Sequence, residues 1–168
     1  MPKEITKIKE VFVDQLKDLY SAETQITKAL PKLAKAATAP DLKKGFLLHL
    51  EQTKVHAERI ESICKKLGEK PTGKKCAATA GLVEEGKEAI DEEATPEMKD
   101  IMLIGAARRV EHYEIAAYTV ACDLAKALGE NDALKMLSST LSEEEATDTK
   151  LAKASVPALA QAAKSEKA

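Results

Sequence analysis

The sequence predicts an all-α protein, a bundle of four long helices. Three observations predict it. First, of 168 residues 28 are Ala, 23 Lys, 20 Glu and 18 Leu, all strong helix formers, against 7 Gly, 6 Pro, 2 Phe, 3 Tyr and no Trp. Second, apolar residues recur in alternating steps of three and four along four segments. Third, two of the joints between those segments are short and one is long. A β-sandwich or barrel needs strand and turn residues that this chain lacks.

The first helix is read over residues 6–37. Its stripe is Phe12, Leu16, Leu19, position 23, Ile26, Leu30, Leu33 and Ala37. Pro31 removes the hydrogen bond to the carbonyl of Thr27, so a kink is expected there. The second helix opens at Thr38-Ala-Pro-Asp41, an N-cap with an acid three residues on, and stops at Gly68. Its stripe is Phe46, Leu50, Thr53, Ala57, Ile60, Cys64 and Leu67. A connector of roughly thirty residues follows, long enough to hold an element of its own. It carries Pro71, Gly73 and a short amphipathic helix from Leu82 to about Glu93. The third long helix opens at Thr95-Pro96 and closes at Gly129. Its stripe is Leu103, Ala107, Val110, position 114, Ala117, Ala121, Leu124 and Leu128. The fourth begins at Asn131-Asp132, carries Leu134, Leu137, Leu141, positions 144 and 148, Leu151 and Ser155, and is expected to end at Pro157. Two antiparallel hairpins joined by one long crossover make the ferritin-like variant of the bundle. One domain is read over residues 1–157, followed by a flexible tail over 158–168.

Composition excludes several classes of function. The net charge is −2, from 26 basic and 28 acidic residues, without the basic excess of a nucleic-acid-binding surface. Lys65, Lys66, Lys70, Lys74 and Lys75, and the acidic stretch Glu84–Glu97, read as solvated faces. The longest apolar run, Ile101–Ala107, is too short to span a bilayer, and the N-terminus has no apolar secretory core. Cys64, Cys76 and Cys122 fit neither a disulfide framework nor a zinc knuckle, which points to a reducing cytoplasm. No phosphate loop or dinucleotide motif is present, so no organic cofactor is expected.

The informative residues are acids standing where core residues belong. Glu23, Glu114 and Glu144 occupy seam positions, and Asp148 lies one turn beyond Glu144. Glu23 and Glu114 fall within about 20° of their stripe centres at 100° per residue. Glu23 lies about fifteen residues before the first short turn and Glu114 about sixteen before the second, which puts the acids at one depth. A buried lone carboxylate is costly and must be protonated, paired or bound to a cation. On the second helix His49, Gln52, Thr53 and His56 are the inward polar candidates, whereas Glu51 projects roughly 160° away. Glu111 sits one turn from Glu114 at the stripe's edge, and His112 points outward. Oxygen and imidazole ligands from facing helices are the donor set that holds two ions in bundle di-iron proteins. Tyr20, Tyr113 and Tyr118 read as packing residues with exposed hydroxyls, and Glu143–Glu145 as a charge run of which only one residue can face away from the apolar stripe.

At these residues the chain resembles a known family. Leu19-Tyr20-Ser21-Ala22-Glu23, His49-Leu50-Glu51-Gln52-Thr53, Glu58-Arg59-Ile60, Gly81-Leu82-Val83-Glu84-Glu85, Val110-Glu111-His112-Tyr113-Glu114-Ile115-Ala116-Ala117-Tyr118 and Glu143-Glu144-Glu145-Ala146-Thr147-Asp148 carry the resemblance. The family is the YciF/YciE bacterial stress-response group, DUF892, a ferritin-like set. The resemblance implies a ferritin-like bundle with a dinuclear metal site, usually a homodimer without an established activity; iron or manganese is the metal expected at such an oxygen and imidazole site. It places the family's acids on Glu23, Glu111, Glu114 and Glu144, with Asp148 beside them. The family's usual Glu before the second-helix Thr is Gln52 here, and His56 stands where the family often has Gln. This is either an exchange of ligands or a weakened site. Two readings follow: a dinuclear metal protein acting on peroxide or oxygen, with Glu23, His49, Gln52, His56, Glu111, Glu114, Glu144 and Asp148 around the metals, or a non-enzymatic structural homodimer with a vestigial site. No catalytic residue is assigned, and neither nucleic acid nor membrane is expected as a partner.

Overall fold

The computed structural model describes residues 5–166, which form five helices and no strand. They are α1 (Ile8–Ala36), α2 (Pro40–Leu67), α3 (Ala77–Asp91), α4 (Pro96–Ala127) and α5 (Asn131–Ser165). α1 packs on α2 and α4 on α5; α1 also meets α4, and α2 meets α5. α3 leans across α1 and α4. Gly68 and Gly129 end α2 and α4 in left-handed conformations, φ 73° and 70°, which glycine adopts without a Cβ clash. Among the described residues no helix is long and apolar enough to cross a membrane, and Cys64, Cys76 and Cys122 are free thiols.

The core has two apolar halves. Phe12, Leu16, Leu19, Ile60, Ile63, Tyr118 and Leu137 fill one. Ile26, Leu30, Leu42, Phe46, Leu103, Ile104 and Leu151 fill the other. On α2, α4 and α5 the residues between the halves are polar and buried: His49, Thr53 and His56; Glu111 and Glu114; Thr140, Glu144 and Thr147. α1 adds Glu23.

Contacts at the bundle's ends fix which turn meets which helix. Thr38, between α1 and α2, meets the start of α4. Its N–H donates to Asp100 Oδ1 at 2.7 Å, its hydroxyl to Oδ2 at 2.6 Å, and the Ala39 N–H to Oδ2 at 2.8 Å. At the other end Lys66 of α2 pairs with Asp132 of α5 at 2.9 Å. The segment between α2 and α4 therefore runs the length of the molecule.

Three expectations about the elements need correction. The crossover helix starts at Ala77, a turn before Leu82, because tertiary bonds hold an Ala/Thr stretch that has no apolar period. The Cys76 N–H donates to Ser21 Oγ at 2.9 Å, Gln25 Nε2 donates to the Cys76 carbonyl at 3.0 Å, and the thiol lies 2.9 Å from Tyr113 Oη. Its far end is capped by Lys99, which donates to the carbonyls of Ala89, Ile90 and Glu92. Neither Thr38 nor Thr95 caps a helix with its side chain: the N-cap of α2 is Ala39, and Thr38 bonds to Asp100 instead. α5 does not stop at Pro157 but continues to Ser165, with Leu151 and Ala162 buried on either side of the proline. Packing offsets the one lost backbone bond there. α1 likewise continues through Pro31.

Asp100 is 4% exposed and accepts three bonds that join the α1–α2 turn to the start of α4. Asp100→Ala strands two backbone donors and is expected to cost about 2–3 kcal/mol in urea denaturation. A loss under about 0.5 kcal/mol would show that water replaces those bonds.

Candidate metal centre

The polar layer is made by seam positions that the helical period sends inward. Glu23, His56, Glu114 and Glu144 have no exposed surface, Glu111 is 2% exposed and His49 4%. Their ligand atoms form two groups, each with all atoms within 4.8 Å of one another: His49, Glu111, Glu114 and Glu144; and Glu23, His56 and Glu144. Glu144 belongs to both. Its Oε1 lies 2.8 Å from His56 Nδ1, and its Oε2 lies 3.6 Å from His49 Nε2.

These atoms converge without bonding to one another. Eight buried atoms make no hydrogen bond: Glu23 Oε2, His49 Nε2, His56 Nδ1, Glu111 Oε2, and both oxygens of Glu114 and of Glu144. The 2.8 Å approach of His56 Nδ1 to Glu144 is close in distance but out of line. The other ring nitrogens are firmly held. His56 Nε2–H donates to Glu143 Oε2 at 2.7 Å, and Arg59 clamps that carboxylate with bonds of 2.9 and 3.0 Å. His49 Nδ1 lies 3.4 Å from Thr147 Oγ1, whose own proton goes to the Glu143 carbonyl at 2.9 Å. Both imidazoles thus turn one ring nitrogen, His49 Nε2 and His56 Nδ1, into the layer; in the neutral ring, with the other N–H held by a neighbour, that nitrogen carries the lone pair a metal takes. Buried atoms at ion-pair distance from one another but with no hydrogen-bond partner, in an oxygen and imidazole set, fit a divalent metal.

Without a cation the layer keeps protons. Burial raises Glu114 well above the usual carboxylate range, and Glu144, Glu23 and Glu111 add to it. Burial also raises Glu111 to about 7 despite the nearby His49, and it raises Glu23 against the pull of His56. For the histidines burial opposes the charge, but the carboxylates outweigh it. Glu111 and Glu144 bring His49 to about 9, and Glu144 and Glu23 bring His56 to about 10. Burial pushes Glu144 up too, yet the two histidines leave it below its ordinary value.

Of the eight ligands read from the sequence, six come together and two do not. Gln52 is half-buried and lines a cavity outside His49 and Glu111. Asp148 is turned to the flank of the bundle, where Arg108 Nε lies 2.7 Å away and His112 Nε2 3.3 Å. One turn of helix separates it from Glu144, enough to carry it past the seam. Glu51 and His112 are exposed, as their angles predict. Tyr118 corrects its expectation: it is fully buried, and its hydroxyl donates to Glu23 Oε1. Its place one turn after Glu114 was the available signal. Glu143 was read as part of a charge run; only its neighbours Arg59 and His56, on another helix, show its role.

Comparison with known proteins agrees with this architecture. Residues 7–164 match a family described as a domain of unknown function, DUF892. The chain belongs to that family. It is 46% identical to protein YciF of Escherichia coli K12 over 145 residues, 86% of this chain and 87% of YciF. The crystal structure of the E. coli stress protein YciF superposes with a TM-score of 0.89 at 42% identity, covering 92% of this chain and 98% of that one. YcfI of Rhodopseudomonas palustris superposes at 0.86 and 41% identity, over 90% and 96%. A ferritin-like, diiron-carboxylate protein of Bacillus anthracis shares the fold, with a TM-score of 0.71 at 16% identity over 90% and 99%. This DUF892 member thus has a ferritin-like, all-helical fold and a buried Glu/His layer able to hold metal.

The layer sets a pH dependence for the metal-free protein. Unfolded His titrates near 6.5 and Glu near 4.3. His49 and His56 at about 9 and 10, and Glu111 at about 7, hold their protons more tightly when folded. That stabilisation is complete below the unfolded values and is lost as pH rises through the folded ones. Chelated protein is expected to lose on the order of a few kcal/mol between about pH 6 and about pH 9.5. Urea denaturation at the two pH values checks it, and equal stabilities would contradict it.

Proposed function

We propose that the chain is a ferritin-like bundle of two antiparallel hairpins with a long crossover, holding a dinuclear iron or manganese centre. It acts as a cytoplasmic homodimeric stress protein on oxygen or peroxide. The observation that carries the reading is the set of eight buried, converging donor atoms without a hydrogen-bond partner.

The donors divide as two metals need. Glu23 and His56 would serve one ion, His49, Glu111 and Glu114 the other, and Glu144 would join them, since its two oxygens face the two histidines. Four carboxylates and two neutral imidazoles carry four negative charges, which two divalent cations balance. His56 stands among the ligands while Gln52 lies outside them, so the geometry favours an exchange of ligands over a weakened site. Such a centre, when bound, supplies electrons and open coordination positions to a small oxidant. The protein's own part is orientation and exclusion of water. Glu143 and Arg59 fix the His56 ring, Thr147 orients His49, and Tyr118 holds Glu23 by its Oε1 so that Oε2 is free. Apolar residues above and below close the layer to solvent.

The test is metal analysis after expression with iron or manganese. About two equivalents per chain are expected. Less than about a tenth of an equivalent under both conditions would favour the structural reading, in which His–Glu pairs neutralise the layer.

Glu114 separates the two readings by stability. With both oxygens buried and unpartnered, Glu114→Leu is expected to stabilise chelated protein by about 1–3 kcal/mol. The same change is expected to remove most of the increase in Tm that added metal gives the unaltered chain. A variant whose Tm still rises with metal as the parent's does would take Glu114 out of the site.

A further inference from the structure

A cavity of about 190 Å³ lies beneath α3, between α1 and α4. Its walls are mainly aliphatic, among them Leu30, Val83 and Ile90; Lys28, Lys32, Glu84 and Lys87 also border it, and the buried Glu111 is part of its lining. Glu111 is the one residue of the polar layer that lines it. The middle of α3 leaves this space open: Gly86 is buried, yet a Cβ built on it meets no atom within 4 Å. A glycine in mid-helix weakens the helix, and here it leaves room that the neighbours do not fill. An apolar space of comparable size, about 150 Å³, stays dry and takes up benzene or xenon. Aliphatic walls give a charged or strongly hydrogen-bonding ligand nothing in exchange for its lost water.

We propose that the cavity under α3 binds a small, uncharged, apolar molecule, in size between a diatomic gas and a benzene ring, and holds it against Glu111. The occupant meets the polar layer from the α1–α3–α4 side, inside the ring of Lys28, Lys32, Glu84 and Lys87. Binding needs only the packing of three helices, so it goes beyond the metal reading and stands whether or not metal binds.

Xenon titration of the full-length, metal-free chain, followed by methyl NMR, tests this. Saturable shifts are expected for the methyls of Leu30, Val83 and Ile90, with none for Leu16 or Leu137 in the opposite half of the core. The Glu111 side-chain carboxyl signal is expected to move with the same midpoint. Gly86→Leu places a side chain in the space and is expected to weaken xenon binding about tenfold or more, with helicity by circular dichroism retained. Ala106→Leu, from the α4 wall, is the second blocking variant should Gly86→Leu fail to fold. Absence of saturable shifts at the three methyls, or equal binding in a folded blocking variant, would overturn the proposal. A Glu111 signal that stays fixed while the methyls shift would overturn the placement of the occupant against the layer.

Discussion

Six ionisable side chains buried in the middle of an apolar bundle impose one requirement: positive charge must be there with them. Glu23, Glu111, Glu114 and Glu144 lie next to one another with almost no exposed surface. Hydrocarbon above and below gives their charges no screening. The layer answers with whatever cation is at hand. In the chain alone that is the proton, which explains why the histidines and most of the acids hold protons more tightly than they do in water. Divalent ions meet the same requirement with less repulsion, because each replaces two protons and can bind several oxygens at once.

The fold delivers the six groups to one place by simple means. Each of the four long helices, α1, α2, α4 and α5, contributes seam positions near the middle of its length, so no loop is needed to build the site. The two turns and the crossover set the depth. Asp100 ties the α1–α2 turn to the start of α4, and Lys66 ties the end of α2 to the start of α5. A shift of one turn along either pair would move a carboxylate by about 5.4 Å and leave it facing methyl groups. The apolar halves therefore fix the register, and the polar layer makes a wrong register costly.

How much of this was legible in the sequence follows from how local each signal is. Glu23, Glu114 and Glu144 interrupt an apolar period on their own helices, and that interruption is visible residue by residue. Glu51 was excluded by the same count, and it is exposed. Asp148 was misjudged because a four-residue step overshoots the seam by about 40°, and a short side chain at the edge reaches Arg108 sooner than the layer. Tyr118 and Glu143 act through contacts across helices, His56 above all, which a period along one helix cannot contain. Pro157 and the first turn of α3 failed for a related reason. Local breaker and propensity rules were overridden by packing against distant segments.

On the proposed metal reading, the histidines make up for Gln52 lying outside the layer. A carboxylate at that position would sit outside His49, at the wall of the α2–α5 cavity, and would add a negative charge there. His56 instead adds a donor atom with no charge when neutral, and Glu143 and Arg59 already hold its far nitrogen. The layer then counts four carboxylates, an even match for two divalent cations, and needs no proton for neutrality once they are bound. In the chain alone the same two rings become the cations, paired with Glu111 and Glu144. One set of side chains can therefore be neutral with protons or, on the proposed reading, with metal; passing between those states would exchange protons for metal and tie occupancy to pH and metal supply.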